Sequence, residues 1–303
     1  MNIKVWIEAA RLRTLPLSIS GILVGSFAAY HQVIDKCHFW TIFTFAILTT
    51  LCFQILSNFA NDYGDGVKGT DNDNRVGPKR AIQSGAITKN QMKNGIIVTS
   101  IISLIVAVLL IYVSFGKENF LYSLLFFVLG IASIAAAIKY TVGKSAYGYR
   151  GLGDVFVFIF FGLVSVIGSN FLYTMQLDYS TILPAVTVGL LSVGVLNLNN
   201  MRDIENDIAS GKNTIVVKMG SKNAKTYHIA MIILAFICLL AFGLVRGMLI
   251  APFTAVFLLI FAPHLKRVND VKEPKVYDPE LKVVALGTFL LSLVTAIVLF
   301  YSN

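Results

Sequence analysis

The chain has 303 residues, of which 56% are hydrophobic and 14% charged, with a mean hydropathy of +0.74. These values exclude a water-soluble globule of ordinary surface polarity, and apolar runs that recur along the whole sequence exclude a soluble domain on a single anchor. The formal net charge of +9, from 25 Lys and Arg against 16 Asp and Glu, then points to an uneven sharing of cations between two membrane faces.

The N-terminal stretch "MNIKVWIEAARLRTLPLSIS" sets basic residues ahead of an apolar segment, as a secretory signal does. No small-residue cleavage site closes it and eight further apolar runs follow, so it is read as a retained first helix. Nine transmembrane helices are expected, near 14–30, 40–60, 95–115, 119–138, 152–172, 181–200, 227–244, 248–264 and 283–301, in one all-α integral-membrane domain covering 1–303. Cys37, Cys52 and Cys238 share no metal-like spacing and are expected as buried thiols outside any disulfide framework.

With nine spans, the N-terminus shares a face with the loops after the second, fourth, sixth and eighth helices. All Lys and Arg except Lys36, Lys117 and Arg246 fall on that face, which makes it cytoplasmic by the positive-inside rule. These loops are also the long ones, so function is expected at the cytoplasmic mouth.

Two acidic motifs lie there, at 58–73 ("NFANDYGDGVKGTDND") and at 199–212 ("NNMRDIENDIASGK"). Each gives Asn, then Asp four residues on, a second acid and a Gly-containing polar loop, which hints at a pseudo-repeat. On a helix Asn58, Asp62 and Asp65 fall within roughly 60° of one another, and Asn199, Asp203 and Asp207 within roughly 80°. Two such stripes facing each other need cations, because four carboxylates in one cavity otherwise repel and take up protons. Oxygen ligands with no nearby His favour Mg²⁺ over zinc or copper, and Mg²⁺ held by few carboxylates implies a phosphorylated ligand. Arg75, Lys79, Arg80, Lys139, Arg150 and Lys212 lie in the same-side loops, available for diphosphate oxygens. Asp71, Asp73 and Glu205 fall in the loop or off the stripe, where caps and solvated acids are ordinary. Asp154, which begins the fifth span, reads equally as an N-cap or a site residue.

At these residues the sequence resembles the UbiA superfamily of intramembrane aromatic prenyltransferases. The superfamily pattern NDxxDxxxD appears as Asn61-Asp62-x-x-Asp65, with Gly69 where the last Asp would stand and Asp71 just beyond. The stretches "LSNFANDYGDGVKGTDNDNRVGPKRAIQSGAIT", "YTVGKSAYGYRGLGDVFVFIFFG" and "LNNMRDIENDIASGKNTIVVKMG" are similar to the branch that acts on 1,4-dihydroxy-2-naphthoate in menaquinone synthesis. The resemblance implies a nine-helix bundle in a prokaryotic cytoplasmic membrane, with polyprenyl diphosphate and an aromatic acceptor as substrates and no nucleic acid. It implies Mg²⁺ held by Asp62, Asp65, Asp203 and Asp207, where it favours ionisation of the allylic C–O bond. Asn58, Asn61 and Asn199 would serve as ligands or hydrogen-bond donors, Lys139, Arg150 and Lys212 as diphosphate contacts, and Arg75 and Arg80 as a clamp on diphosphate or acceptor carboxylate. Tyr140 would wall the acceptor. A related enzyme using 4-hydroxybenzoate or homogentisate, and a cation transporter, are the competing readings.

Overall fold

The computed structural model describes residues 3–72 and 75–302, so Asp73 lies outside the described residues. Every described element is helical. A short helix α1 (Ile3–Ala10) precedes α2 (Leu15–Ala28), α3 (Lys36–Lys68), α4 (Lys89–Phe115) and α5 (Phe120–Lys139). The fifth expected span is continuous over Gly153–Thr174: α6 (Gly153–Val157), a π-helical stretch (Phe158–Gly168) and α7 (Ser169–Thr174). It is followed by α8 (Ile182–Arg202), α9 (Ile204–Ala209), α10 (Ile215–Arg246), α11 (Ala251–Asp270) and α12 (Tyr277–Tyr301).

All nine expected spans coincide with helices. Among the described residues eight of them are long and apolar enough to cross a membrane, whereas α2 has 14 residues and is lengthened only by 3₁₀ turns at Leu12–Thr14 and Tyr30–Gln32. Helix α2 can be short because it is interior. Gly21 and Gly25 bring it against the π-helical stretch so closely that a Cβ on Gly25 would lie 2.1 Å from the Val166 carbonyl oxygen. Helix α8 is the hub, with 67% of its apolar window buried against 6% for α5, which faces outward along most of its length.

Several helices run past their expected limits, among them α3, which continues to Lys68, and α10. Helix α10 starts at Ile215, well before residue 227, because Thr214 caps it and Gly220 (φ 76°) absorbs a kink that would otherwise end it. Helix α1 is a separate element; its Trp6 packs edge-on against Phe59 of α3 while Ile3 and Ile7 stay exposed. Cys52 and Cys238 are half-buried and Cys37 is exposed, more open than expected, and all three are free thiols.

Inside the bundle, His228 of α10 and His264 of α11 meet through their Nε2 atoms at 2.9 Å, and His264 Nδ1 lies 2.6 Å from Glu280 of α12, which also takes Arg267. This chain ties the last three helices together without touching the acidic motifs. At the opposite end from those motifs, Arg246 pairs with Asp178, so one of the few cations on that side has its own acid.

Candidate active site

Helix α3 runs unbroken through the first motif to Lys68 and ends on Gly69, whose φ of 75° is the left-handed geometry that favours glycine after a helix. This is the physical reason for glycine where the family pattern has a last Asp: the chain reverses and carries Asp71 back against the helix end. Thr70 N–H donates to the Asp65 carbonyl at 3.0 Å. The second motif is not on one continuous helix, as expected, but is kinked at Asp203 (φ −100°, ψ 12°) between α8 and α9. The four-residue spacing survives, since Asp203 N–H still reaches Asn199 O at 3.1 Å and Asp207 N–H reaches Asp203 O at 2.8 Å.

The acids are held differently. Asp62 accepts from the backbone N–H groups of Ala81 and Ile82 at 3.0 and 3.2 Å, so it anchors the loop between α3 and α4. Asp65 accepts from Arg80 Nη1 and from the Tyr149 hydroxyl, each at 2.8 Å. Asp203 is gripped by Arg202, whose Nε and Nη2 donate at 3.1 and 2.7 Å, while Arg202 Nη1 reaches Asp278 at 2.6 Å. Burial raises the Asp203 pKa, but the Arg202 hydrogen bonds outweigh it and hold the group below its ordinary value.

Asp71 and Asp207 are the exceptions. Asp71 Oδ1 lies 3.2 Å from the Nε of both Arg75 and Arg80, yet among the described residues neither of its enclosed oxygens has a hydrogen bond. Asp207 has Lys212 Nζ 3.6 Å from Oδ1 and an enclosed, unpartnered Oδ2. Burial, only partly offset by these cations, pushes both carboxyls up to about 6.

The two motifs share one cleft. Arg75 spans them, 3.2 Å from Asp71 and 3.8 Å from Asp203, and Asn206 Nδ2 donates to Thr70 O at 2.9 Å. Gly77 leaves room for this crossing, since a Cβ there would sit 2.7 Å from Arg202 Nη2 and 2.8 Å from Arg75 Nη2. Among the described residues no three His, Cys, Asp or Glu lie close enough to hold a metal by themselves, so the four stripe acids do not form one ligand set.

The other expected site residues divide. Asn61 and Tyr140 line a cavity of about 340 Å³ that starts beside the cleft. Asn61 Oδ1 takes the Thr141 hydroxyl at 3.3 Å, and Asn199 Oδ1 takes Arg202 Nη2 at 2.8 Å. Asn58 is turned to the N-terminal segment instead, donating to Ala10 O at 2.8 Å and Thr14 Oγ1 at 3.0 Å. Lys139 and Arg150 are exposed and form no ion pair among the described residues, unlike Lys212. Asp154 is in the first turn of α6, where it accepts from the Tyr227 hydroxyl at 3.2 Å. Arg202 and Tyr149 were not singled out from the sequence, although Arg202 sits inside the second motif. The signal was the adjacency Arg202-Asp203, which a topology count of cations hides.

Beyond its head the cavity is apolar, walled by Ile22, Ala46, Leu110, Phe126 and Leu172, and the π-helical stretch lines one side. A charged cleft joined to an apolar slot suits an amphiphile with an anionic head. The model of the UbiA prenyltransferase family matches residues 18–283. The chain belongs to this family. It is 39% identical to the 1,4-dihydroxy-2-naphthoate octaprenyltransferase of Haemophilus influenzae, over 96% of this chain and 94% of that one. Identity is also 39% to the enzyme of that name from Escherichia coli, over 99% and 96%. A UbiA homolog from Archaeoglobus fulgidus bound to DMAPP and Mg2+ superposes with a TM-score of 0.69 at 12% identity, covering 98% of this chain and 99% of that one, which supports the common fold.

Proposed function

We infer that this UbiA-family protein transfers a polyprenyl chain from its diphosphate to 1,4-dihydroxy-2-naphthoate, with release of diphosphate and CO₂, giving demethylmenaquinol and hence demethylmenaquinone. The observation that carries the reading is the apolar cavity of about 340 Å³ opening beneath a cleft of acids and cations. The names of the full-length relatives support the acceptor.

In the reaction the allylic C–O bond breaks with its electron pair leaving on diphosphate, and a ring carbon of the acceptor bonds the allylic carbon. The carboxyl lost as CO₂ returns its bonding electrons to the ring. Arg75, Arg80 and Lys212 lie where they can take diphosphate oxygens, and each is already held in place by an acid. Tyr140 walls the head of the cavity beside Asn61, and the apolar lining excludes water that would hydrolyse an allylic cation. Burial, then Asp65, keep the Tyr149 phenol well above its ordinary range, so it donates to Asp65 as a neutral hydroxyl.

The unpartnered oxygens of Asp71 and Asp207 fit a hard cation, and an all-oxygen donor set with few converging carboxylates fits Mg²⁺ shared with phosphate oxygens. Asp71 and Asp207 are the residues that would hold it, with Asp65 and Asp203 beside them and Asp62 fixing the loop. Bound there, Mg²⁺ supplies positive charge to the leaving diphosphate. The excess of cations around the cleft supports a cytoplasmic orientation.

The test is prenyl transfer by detergent-purified protein offered dihydroxynaphthoate and 4-hydroxybenzoate with the same prenyl diphosphate, the products being weighed by mass spectrometry. A decarboxylated prenyl-naphthoquinol that vanishes with EDTA is expected. Transfer to hydroxybenzoate alone would overturn the acceptor.

A further inference from the structure

One cation at the cleft forms no ion pair among the described residues. Helix α1 ends at Ala10, and Arg11 adopts φ 51°, ψ 61°, the left-handed region that a residue with a Cβ seldom occupies. The kink is clamped from α3. Asn58 Nδ2 donates to Ala10 O and Thr14 Oγ1, Gln54 Nε2 donates to Thr14 Oγ1 at 3.4 Å, and the Thr14 hydroxyl donates to Arg11 O at 2.9 Å. Asn58 lies one helical turn before Asp62, so the clamp delivers residue 11 to the acidic end of α3.

The Arg11 guanidinium is within electrostatic reach of Asp62, Asp65 and Asp71, and of Arg80 and Arg75. It nevertheless forms no ion pair or hydrogen bond among the described residues, and its Nη2 is enclosed without a partner. Burial, then Arg80, lower its pKa to about 9. A half-buried cation without an ion pair, carried on a strained turn that four hydrogen bonds clamp, costs stability and returns nothing to the fold. Gln54, which supports the turn, also lines the cavity.

We propose that Arg11 is an anion-binding residue of this site, its guanidinium fork receiving a substrate oxyanion, either the carboxylate of the aromatic acceptor or the diphosphate of the prenyl donor. Asn58 is then a positioning residue, acting through the turn it clamps. The assignment rests on the reading of this cleft as the seat of prenyl transfer. It is tested by binding, which needs no turnover.

Calorimetric titration of the detergent-purified protein in Mg²⁺ uses two probes, inorganic pyrophosphate and 1-hydroxy-2-naphthoate, on wild type, Arg11→Gln and Arg11→Lys. Arg11→Gln is expected to lose at least about tenfold in affinity for one probe, with partial recovery in Arg11→Lys and a ligand-free Tm no lower than wild type. Loss on the naphthoate assigns the acceptor carboxylate; loss on pyrophosphate assigns the diphosphate. Affinities for both probes within about twofold of wild type overturn the proposal, and so does a lowered Tm with binding intact, which marks a structural arginine. Should Arg11→Gln fail to accumulate folded, Arg11→Met carries the same readout. A wild type that binds neither probe takes down the reading of the cleft along with this one, whereas wild-type binding without transfer refutes the reaction and leaves Arg11 to be judged by its variants.

Discussion

The first acidic motif sits on a helix that runs straight to Lys68 and gains its third acid from a loop, whereas the second is folded over a kink at Asp203. Despite the different backbones, each divides its acids in the same way. Asp62, Asp65 and Asp203 spend their oxygens on backbone amides, Arg80, Tyr149 and Arg202. Asp71 and Asp207 keep enclosed oxygens that have no hydrogen bond among the described residues. A buried polar atom without a partner is costly, so such atoms persist where something else binds. On the proposed function, the division separates acids that build the cleft from acids that would take the cation.

The largest expected effect tests that division directly. Asp207→Asn and Asp71→Asn should each lower kcat by about a hundredfold or more while leaving the ligand-free Tm unchanged or raised, because each removes a poorly compensated buried charge. Asp62→Asn should lower the Tm, through the loss of about 1.5–3 kcal/mol of charge-assisted bonding to the 81–82 amides. Thermal unfolding in detergent beside steady-state kinetics separates the two patterns, and a Tm loss in Asp207→Asn equal to that in Asp62→Asn would erase the distinction. Next in size, Arg202→Ala strands Asp203 in the interior and should cost about 3–5 kcal/mol, read as a fall in Tm that Arg202→Ala/Asp203→Asn largely restores.

The pH dependence sharpens the same comparison. Asp71 and Asp207, raised to about 6 by burial, bind protons more tightly folded than unfolded, where the carboxyl value is 3.8. From these two groups, the ligand-free protein therefore loses stability as pH rises from 3.8 to 6 and changes little above that. Asp203, depressed by Arg202, contributes stability above 3.8 that is lost only at lower pH, as its folded pKa is passed. Because a cation needs ionised ligands, the Mg²⁺ concentration for half-activation should rise by roughly tenfold per pH unit below 6 for each proton displaced. Magnesium titrations at pH 5 and pH 7 check it, and Asp207→Asn should flatten the slope.

The sequence made the helices legible because a bilayer leaves a simple record: a run of apolar residues long enough to cross it. The two clusters of acids were legible for the converse reason, that charge at a membrane helix end is rare. What stayed hidden depends on the path of the chain between spans. The π-helical stretch leaves no compositional trace in "FIFFGLVSVIG", and its wide turn shows only once α2 and α8 press on it. Asn58 was placed on the acidic stripe by its angle, which is sound, but angle alone could not foresee that Ala10 and Thr14 fold back to claim it. Asp71 looked like a loop acid because its burial follows from the reversal at Gly69.

The smallest expected effect concerns the cations. Lys212 stands 3.6 Å from Asp207 and 5.7 Å from the centre of the Tyr149 ring, so its ammonium is held over the cleft before substrate arrives. Lys139 and Arg150 end α5 and the following turn in exposed positions, and only the main-chain carbonyl of Arg150 is engaged, by Lys218. A solvated cation must give up side-chain entropy and hydration to reach a phosphate, which leaves little net gain. Lys212→Ala should therefore raise the KM for prenyl diphosphate by about tenfold or more, while Lys139→Ala and Arg150→Ala change it by no more than about twofold. An equal rise for all three would mean that exposed cations swing in when the diphosphate binds. The separation between held and free charge would then be a property of the ligand-free cleft alone.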